Sequence, residues 1–118
     1  MENLGEKETK FAKLIWSHAP IPSGELVKLC EKELDWKKST TYTMLSRLVK
    51  RGIFENDDSV VRVRISREDF EASRSESFVD ENFGGSLPGF LAAFTRKKKL
   101  SGKEIAELEA IIRENRGR

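Results

Sequence analysis

The chain has 118 residues, of which 37% are hydrophobic and 36% charged, and its formal net charge is +2. This length suffices for one compact domain, or for a small domain with a dependent tail, and is too short for a Rossmann or barrel enzyme. One cysteine excludes a disulfide framework, and one histidine leaves no usual metal or catalytic-base arrangement. With no signal peptide and no apolar run of 18 residues, the sequence predicts a cytoplasmic protein without membrane segment, metal or cofactor.

Three helices are predicted in the first half of the chain. The first runs from about Glu8 to Ser17 and ends at residues 18–22, where each of two prolines disfavours helix in the residue before it. The second runs from Ser23, the predicted N-cap, to about Leu34, and the third runs from about Lys38 to Arg51 and is closed by Gly52. The inward stripes are Leu26, Val27, Cys30 and Leu34 on the second helix, and Thr41, Met44, Leu45 and Leu48 on the third.

Beyond Gly52 the hydrophobic period changes from 3.6 to 2. Residues 53–55 are predicted to form a short strand, residues 56–59 a turn, and Val60 to Ile65 a second strand with Arg62 and Arg64 on one face. Three helices followed by a hairpin predict a winged helix-turn-helix domain.

The last third of the chain is predicted to be helical again. One helix covers about Glu68 to Asn82, a short helix runs into Arg96–Lys99, and a capping box of Ser101 and Glu104 starts the last helix. Their apolar stripes have little to cover them within one chain, which favours a homodimer. The predicted dimerisation residues are Phe78, Phe83, Leu87, Phe90, Leu91, Phe94, Ile105, Leu108, Ile111 and Ile112. The expected fold is mostly α with a small β-hairpin: a winged-helix DNA-binding domain over 1–66 and a helical dimerisation domain over 67–118.

The strongest functional signal is the charge of the third helix. Residues 37–51 hold five Lys and Arg and no acid, although the whole chain is nearly balanced. Hydroxyl side chains near base edges and cations near phosphates are what a recognition helix in the major groove needs. The predicted DNA-binding residues are Lys37, Lys38, Ser39, Thr40, Tyr42, Thr43, Ser46, Arg47, Lys50, Arg62 and Arg64, with Arg51 as a further phosphate contact.

Other interpretations of these residues stay open. The basic stripe also fits a solvated helix face, and Arg62 and Arg64 also fit the wet side of a hairpin. The acidic wing tip, with Glu55, Asp57 and Asp58, opposes close approach to DNA and favours the alternative of a winged-helix protein-interaction module. Cys30 is expected to be a buried structural thiol and His18 a helix cap or packing residue. No arrangement of residues indicates an enzyme.

The stretch from Trp36 to Ile53, WKKSTTYTMLSRLVKRGI, resembles the signature of the penicillinase-repressor family, the BlaI/MecI group with the copper-responsive CopY repressors. Trp16 with the following Pro-Ile-Pro turn, residues 83–87 and residues 100–108 are also similar, so the resemblance covers about residues 9–112. It implies a homodimeric repressor that binds a palindromic double-stranded DNA operator, with a sensor or protease system as a further partner. Penicillin-responsive members of the family are cleaved at an Asn-Phe bond where this chain has Ala93-Phe94, which argues against inactivation by this route. The paired C-terminal cysteines of copper-responsive members are missing, which argues against a metal-sensing member.

Overall fold

The computed structural model describes residues 4–117. Within this range the chain forms six helices and three strands: α1 (Glu6–His18), β1 (Ile21–Pro22), α2 (Ser23–Leu34), α3 (Lys38–Lys50), β2 (Phe54–Asp57), β3 (Val60–Val63), α4 (Arg67–Phe83), α5 (Leu87–Lys97) and α6 (Gly102–Arg116). The chain divides into two compact units between Ser77 and Phe78. Three helices with a small antiparallel sheet confirm the predicted winged helix-turn-helix fold of the first unit.

The sheet is larger than the predicted hairpin. Its strands are ordered β1-β3-β2, and residues 21 and 22, predicted only as a helix-ending turn, pair with Val61 and Val60. The turn between β2 and β3 contains only Asp58 and Ser59, both at positive φ (49° and 64°), as a two-residue hairpin loop of type I′ requires. The prediction of a turn over 56–59 was therefore wrong, because residues 56 and 57 belong to β2.

Two further predicted boundaries also change. The second strand ends at Val63 and not at Ile65, although the Ile65 amide still donates to the Ile53 carbonyl at 3.1 Å. Ser23 is the first residue of α2 rather than its N-cap, which is Pro22, and no side chain caps this helix. The Ser23 amide donates instead to the Ser59 carbonyl at 2.8 Å, so the wing turn satisfies a helix-start donor that a capping side chain usually satisfies.

The core of the first unit is formed where the helices meet the sheet. The predicted inner face of α3 is confirmed, since Thr41, Met44, Leu45 and Leu48 are all buried. The fully buried side chains also include Phe11, Ile15, Leu26, Cys30, Ile53, Phe54 and Val61. These contacts hold α3 by one face and leave the opposite face to solvent.

The end of α3 directs the chain into the wing. The Gly52 amide donates to the Val49 carbonyl at 3.0 Å and the Ile53 amide to the Leu48 carbonyl at 3.1 Å, which is the Schellman pattern of helix termination. Gly52 has φ +78°, a conformation that strains any residue with a Cβ. The motif turns Ile53 into the core and starts β2, as the sequence predicted for Gly52.

Trp16 and Phe70 complete the first unit. The Trp16 indole nitrogen donates to the Ile65 carbonyl at 3.0 Å, and its ring lies 5.4 Å from Phe54 and 5.5 Å from Phe70 between centroids. Phe70, in the first turns of α4, is only 2% exposed. The start of α4 is therefore packed into the first unit.

The second unit has no core of its own, because none of its described residues is buried. Its apolar side chains meet in a cluster of four phenylalanines, Phe78, Phe83, Phe90 and Phe94, with ring centroids 5.5–6.2 Å apart between contacting pairs. The Ser101 hydroxyl accepts from the Glu104 amide at 3.1 Å, and the Glu104 carboxylate accepts from the Ser101 amide at 3.0 Å. This capping box at the start of α6 was predicted and is confirmed.

Candidate nucleic-acid interface

The outward face of α3 is polar and basic. It carries most of the residues predicted to bind DNA, and all of the following are exposed: Lys37, Lys38, Ser39, Thr40, Thr43, Ser46, Arg47 and Lys50. Ser39, Thr43, Ser46, Arg47 and Lys50 lie opposite the buried face that holds α3 against the core. The cations and hydroxyl groups that the helical spacing predicted to share a face therefore lie together on one surface of α3.

The start of α3 adds the positive end of a helix dipole to this surface. The helix begins after Lys37, and no described side chain caps its first-turn amides. The Thr41 hydroxyl turns inward and donates to the Lys37 carbonyl at 3.3 Å. Free first-turn amides beside Lys37 and Lys38 favour a negatively charged group at this end of the helix.

No carboxylate of the described chain neutralises the cations of this face. Among residues 4–117, no carboxylate lies within 4.0 Å of the charged nitrogens of Lys37, Lys38, Arg47 or Lys50. Arg47 makes one weak contact, in which its Nη1 donates to the thioether sulfur of Met44 at 3.8 Å. Its guanidinium can therefore bind a partner without breaking an ion pair.

Arg51 has a different environment from these cations. Its Nη1 lies 3.9 Å from Oε2 of Glu8 on α1, and both side chains are only about one-quarter exposed. This pair links the end of α3 to α1. The geometry thus gives Arg51 a structural contact beside the phosphate role that the sequence suggested.

Tyr42 is half-buried at the edge of the basic face. Its hydroxyl donates to the Ser23 Oγ at 3.3 Å, and Ser23 itself is buried at the start of α2. The bond connects the two helices of the helix-turn-helix and so helps to set the angle at which α3 is presented. Sequence patterns gave no indication of this contact, because the two residues lie 19 positions apart.

The wing has two chemically different faces. Arg62 lies opposite Glu55 in the β2–β3 pairing, and its Nε is 3.9 Å from the Asp57 Oδ2, so the outer face mixes both charges. Arg62 and Arg64 are both exposed. Asn56 lies on the other face of β2, opposite Val61, which is fully buried. Asn56 is not among the predicted DNA-binding residues, because the sequence placed it in the turn. Strand alternation counted back from a two-residue Asp-Ser loop identifies the face on which it lies.

The residues predicted for dimerisation form an extended apolar surface on the second unit. Six of them are 42–64% exposed, namely Phe78, Leu87, Phe94, Ile105, Ile111 and Ile112. The other four, Phe83, Phe90, Leu91 and Leu108, are half-buried. A groove between α5 and α6 is lined by Phe90, Leu91, Phe94, Leu100, Leu108 and Ile111, with Glu104 and Glu107 at its rim. Contiguous exposed apolar surface of this kind marks an interaction site.

The two residues with possible chemical reactivity have structural roles. Cys30 is fully buried, and burial raises the pKa of its thiol, while the neighbouring Thr41 side chain lowers it by a smaller amount. The expectation of a buried thiol is confirmed. His18 Nδ1 lies 2.9 Å from the Leu14 carbonyl in the last turn of α1, in keeping with the capping role that was predicted.

Searched over residues 4–117, the helices include none that is both long and apolar enough to cross a membrane.

Comparisons with known proteins agree with this architecture. The family model described as penicillinase repressor matches residues 4–114. The penicillinase repressor of Bacillus licheniformis is 31% identical over 119 residues, which cover 98% of this chain and 93% of that protein. The methicillin resistance regulatory protein MecI of Staphylococcus aureus is 23% identical over 113 residues, or 92% of each chain, and the penicillinase repressor of Staphylococcus aureus is 24% identical over 109 residues, or 89% and 86%. The chain belongs to the penicillinase repressor family, a family of transcriptional repressors and not of enzymes.

Proposed function

We propose that the protein is a homodimeric, sequence-specific repressor that occludes a palindromic DNA operator with two copies of α3 in successive major grooves. The observation that carries this proposal is the exposed face of α3, where cations without a carboxylate partner in the described chain stand among hydroxyl groups. Such a face meets phosphates and base edges together when the helix enters a major groove.

The proposed contacts fall into two classes. Lys37, Lys38 and Lys50 neutralise phosphates, which makes affinity depend steeply on salt. The residues that face base edges are Ser39, Thr40, Thr43 and Arg47, flanked by Tyr42. Arg62 and Arg64 give weaker phosphate contacts from the wing, since the acids beside Arg62 offset its charge.

The division of labour that we propose assigns DNA binding to residues 1–66 and dimerisation to residues 67–118. The support is that the described part of the second unit buries no side chain while exposing six large apolar ones. A second copy is the simplest closed partner for such a surface. Two-fold symmetry then predicts half-sites about 34–36 Å apart, or a multiple of that distance. Release of the operator requires a signal, for which a sensor or protease system is the partner we propose, although the Asn-Phe bond cleaved in penicillin-responsive relatives is Ala93-Phe94 here.

DNA binding is tested by selecting bound fragments from genomic DNA and measuring fluorescence anisotropy on the selected site and on a scrambled duplex at two salt concentrations. We expect a two-fold symmetric site, preferential binding and a strong salt dependence. Weak and equal binding to both duplexes, with no enriched fragment, would reject the repressor proposal in favour of the protein-interaction module.

Dimerisation is tested by sedimentation of two variants that introduce the same acidic side chain at neighbouring positions of α6. Ile112 is 55% exposed, so Ile112→Glu leaves the second unit's internal contacts largely intact but buries a charge if a second copy covers it. Arg113→Glu is the matched control at an exposed polar position. We expect the first variant to be monomeric and the second dimeric. A wild-type chain that sediments as a monomer, or a dimer in both variants, would contradict the proposed interface.

A further inference from the structure

A shallow depression lies between α3 and the wing. It is lined by Tyr42, Leu45, Ser46, Val49 and Asn56, and we refer to it as the wing depression. Four of these residues lie on α3 and only Asn56 comes from β2. The depression sits on the flank of α3 that carries Tyr42 and Val49, beside the exposed face of Ser46 and Lys50.

The wing depression offers neutral hydrogen-bonding groups and no carboxylate. Neither Ser46 nor Asn56 uses its side chain in a hydrogen bond to another described group of the protein, and both residues are exposed. The Tyr42 hydroxyl donates its proton to Ser23, which leaves its oxygen lone pairs without a described donor. Within the described chain, the Ser46 hydroxyl and the Asn56 amide are therefore donors that remain available to an acceptor from outside the protein.

The two acids of strand β2 lie away from this depression. Strand alternation puts Glu55 and Asp57 on the face of β2 opposite to Asn56. Asp57 is further held near Arg62, at 3.9 Å between Oδ2 and Nε. The acidic composition of the wing argues against DNA contact. The side of β2 that faces α3, however, carries Asn56 and not these two acids.

A helix seated in the major groove fills most of the groove width. The groove is about 12 Å wide and a helix with its side chains about 10–12 Å across, so the flanks of the helix meet the sugar–phosphate backbones. The wing depression occupies one such flank. Phosphate oxygens accept hydrogen bonds from Ser and Asn side chains, and these contacts fix the register of a protein on the duplex.

We propose that the wing depression is a binding site for one DNA backbone phosphodiester in each half-site, held by hydrogen bonds from the Asn56 amide and the Ser46 hydroxyl. This inference rests on the proposed function, because it requires α3 to enter the major groove. It makes Asn56 the wing residue that docks on the backbone, in addition to any contact from the arginines of the outer face.

The test uses the full chain and a duplex selected by its binding to the wild-type protein. Asn56→Ala removes the donor from both half-sites, and we expect about a hundredfold weaker binding, the order expected for the loss of two hydrogen bonds to charged groups. Asn56→Asp keeps the size of the side chain but adds a negative charge beside each phosphate, so we expect a larger loss, about a thousandfold. Glu55→Gln changes the neighbouring residue on the opposite face and is the matched control; because it removes a negative charge, its affinity should equal or exceed that of the wild type.

A second measurement locates the phosphate. Duplexes with a neutral methylphosphonate at one backbone position at a time should reveal a position in each half-site where wild-type binding weakens but Asn56→Ala binding does not weaken further. Thermal unfolding of each variant controls for folding, and little change is expected because the side chain is exposed.

The outcomes separate the two proposals. If the wild type binds its duplex specifically while Asn56→Ala and Asn56→Asp bind equally well, the phosphate site is refuted and the repressor proposal stands. If the wild type shows no preference for any duplex, the repressor proposal fails and the phosphate site fails with it. A methylphosphonate effect that is the same in the wild type and in Asn56→Ala would also overturn the assignment of this residue.

Discussion

Arg47→Ala is the substitution that most directly examines how α3 reads DNA. The side chain is exposed, has no carboxylate partner among the described residues and makes only the 3.8 Å contact to the Met44 sulfur. Its removal should change the free energy of unfolding by no more than about 0.5 kcal/mol. A guanidinium bound to a guanine edge is worth about 1–3 kcal/mol. Since a dimer places two copies on the operator, we expect a loss of about 2–6 kcal/mol, which is roughly thirtyfold or more in affinity.

The assay is fluorescence anisotropy with the selected operator and a scrambled duplex, measured for wild type, Arg47→Ala and Lys13→Ala. Lys13 is an exposed cation on α1, so the control removes the same charge away from α3. We expect Arg47→Ala to weaken operator binding much more than scrambled-duplex binding, and Lys13→Ala to change both only slightly. Equal losses on the two duplexes would make Arg47 a phosphate contact. An operator affinity equal to that of the wild type would refute the reasoning that this face of α3 enters the groove.

Three more predictions concern the division of the chain, the thiol and the last helix. A chain ended at Ser77 keeps Phe70 packed against Trp16, so it should fold cooperatively but sediment as a monomer. Its binding to the operator should be at least about a hundredfold weaker, because a monomer contacts only one half-site. A truncated chain that still forms a tight dimer would contradict the proposed dimerisation region. Burial raises the pKa of the Cys30 thiol, so it should react with a thiol reagent only as fast as the protein unfolds. The rate of reaction is measured over a series of denaturant concentrations, and rapid reaction in native buffer would contradict the burial of Cys30. Hydrogen bonds from Ser101 hold the pKa of Glu104 below its ordinary value of 4.5, so this carboxylate stabilises α6 above that pH, and the contribution is lost as the pH falls through the lower folded-state pKa. Circular dichroism should show a smaller acid loss of helix in Glu104→Gln than in the wild type, and an identical acid transition in both proteins would reject the assignment.

The acidic wing shows that the composition of a segment does not predict the charge of each of its surfaces. Glu55, Asp57 and Asp58 suggest a loop that phosphates repel, and Arg62 suggests the opposite. Once β2 and β3 are paired, Arg62 shares the outer side with Glu55 and Asp57, while the inner side presents Asn56 toward α3. A period of two along a strand sorts neighbouring residues onto different surfaces, so the charge that a partner meets differs from the charge of the segment.

Local periodicity determined most of the architecture. The 3.6-residue stripes identify the helices, and the capping box at Ser101 and the glycine at position 52 mark where helices begin and end, because these signals act over a few residues of chain. The stretch over 37–51, which is basic and contains no acid, likewise identifies α3 as the helix expected to bind DNA. Exposure of the predicted α3 cations and hydroxyls follows from the same periodicity, since four buried positions on one face leave the opposite face in solvent.

Tertiary structure alone decided the contacts between distant segments. Residues 21 and 22 become a strand only because β3, about 40 residues later, offers them a pairing edge. The Tyr42–Ser23 hydrogen bond, the Arg51–Glu8 pair and the position of Asn56 beside Ser46 likewise join residues whose spacing carries no periodic signal. Such contacts form only when the whole core packs, because the burial of many side chains together fixes the positions of distant segments. A window of a few residues therefore does not predict which distant residues become neighbours.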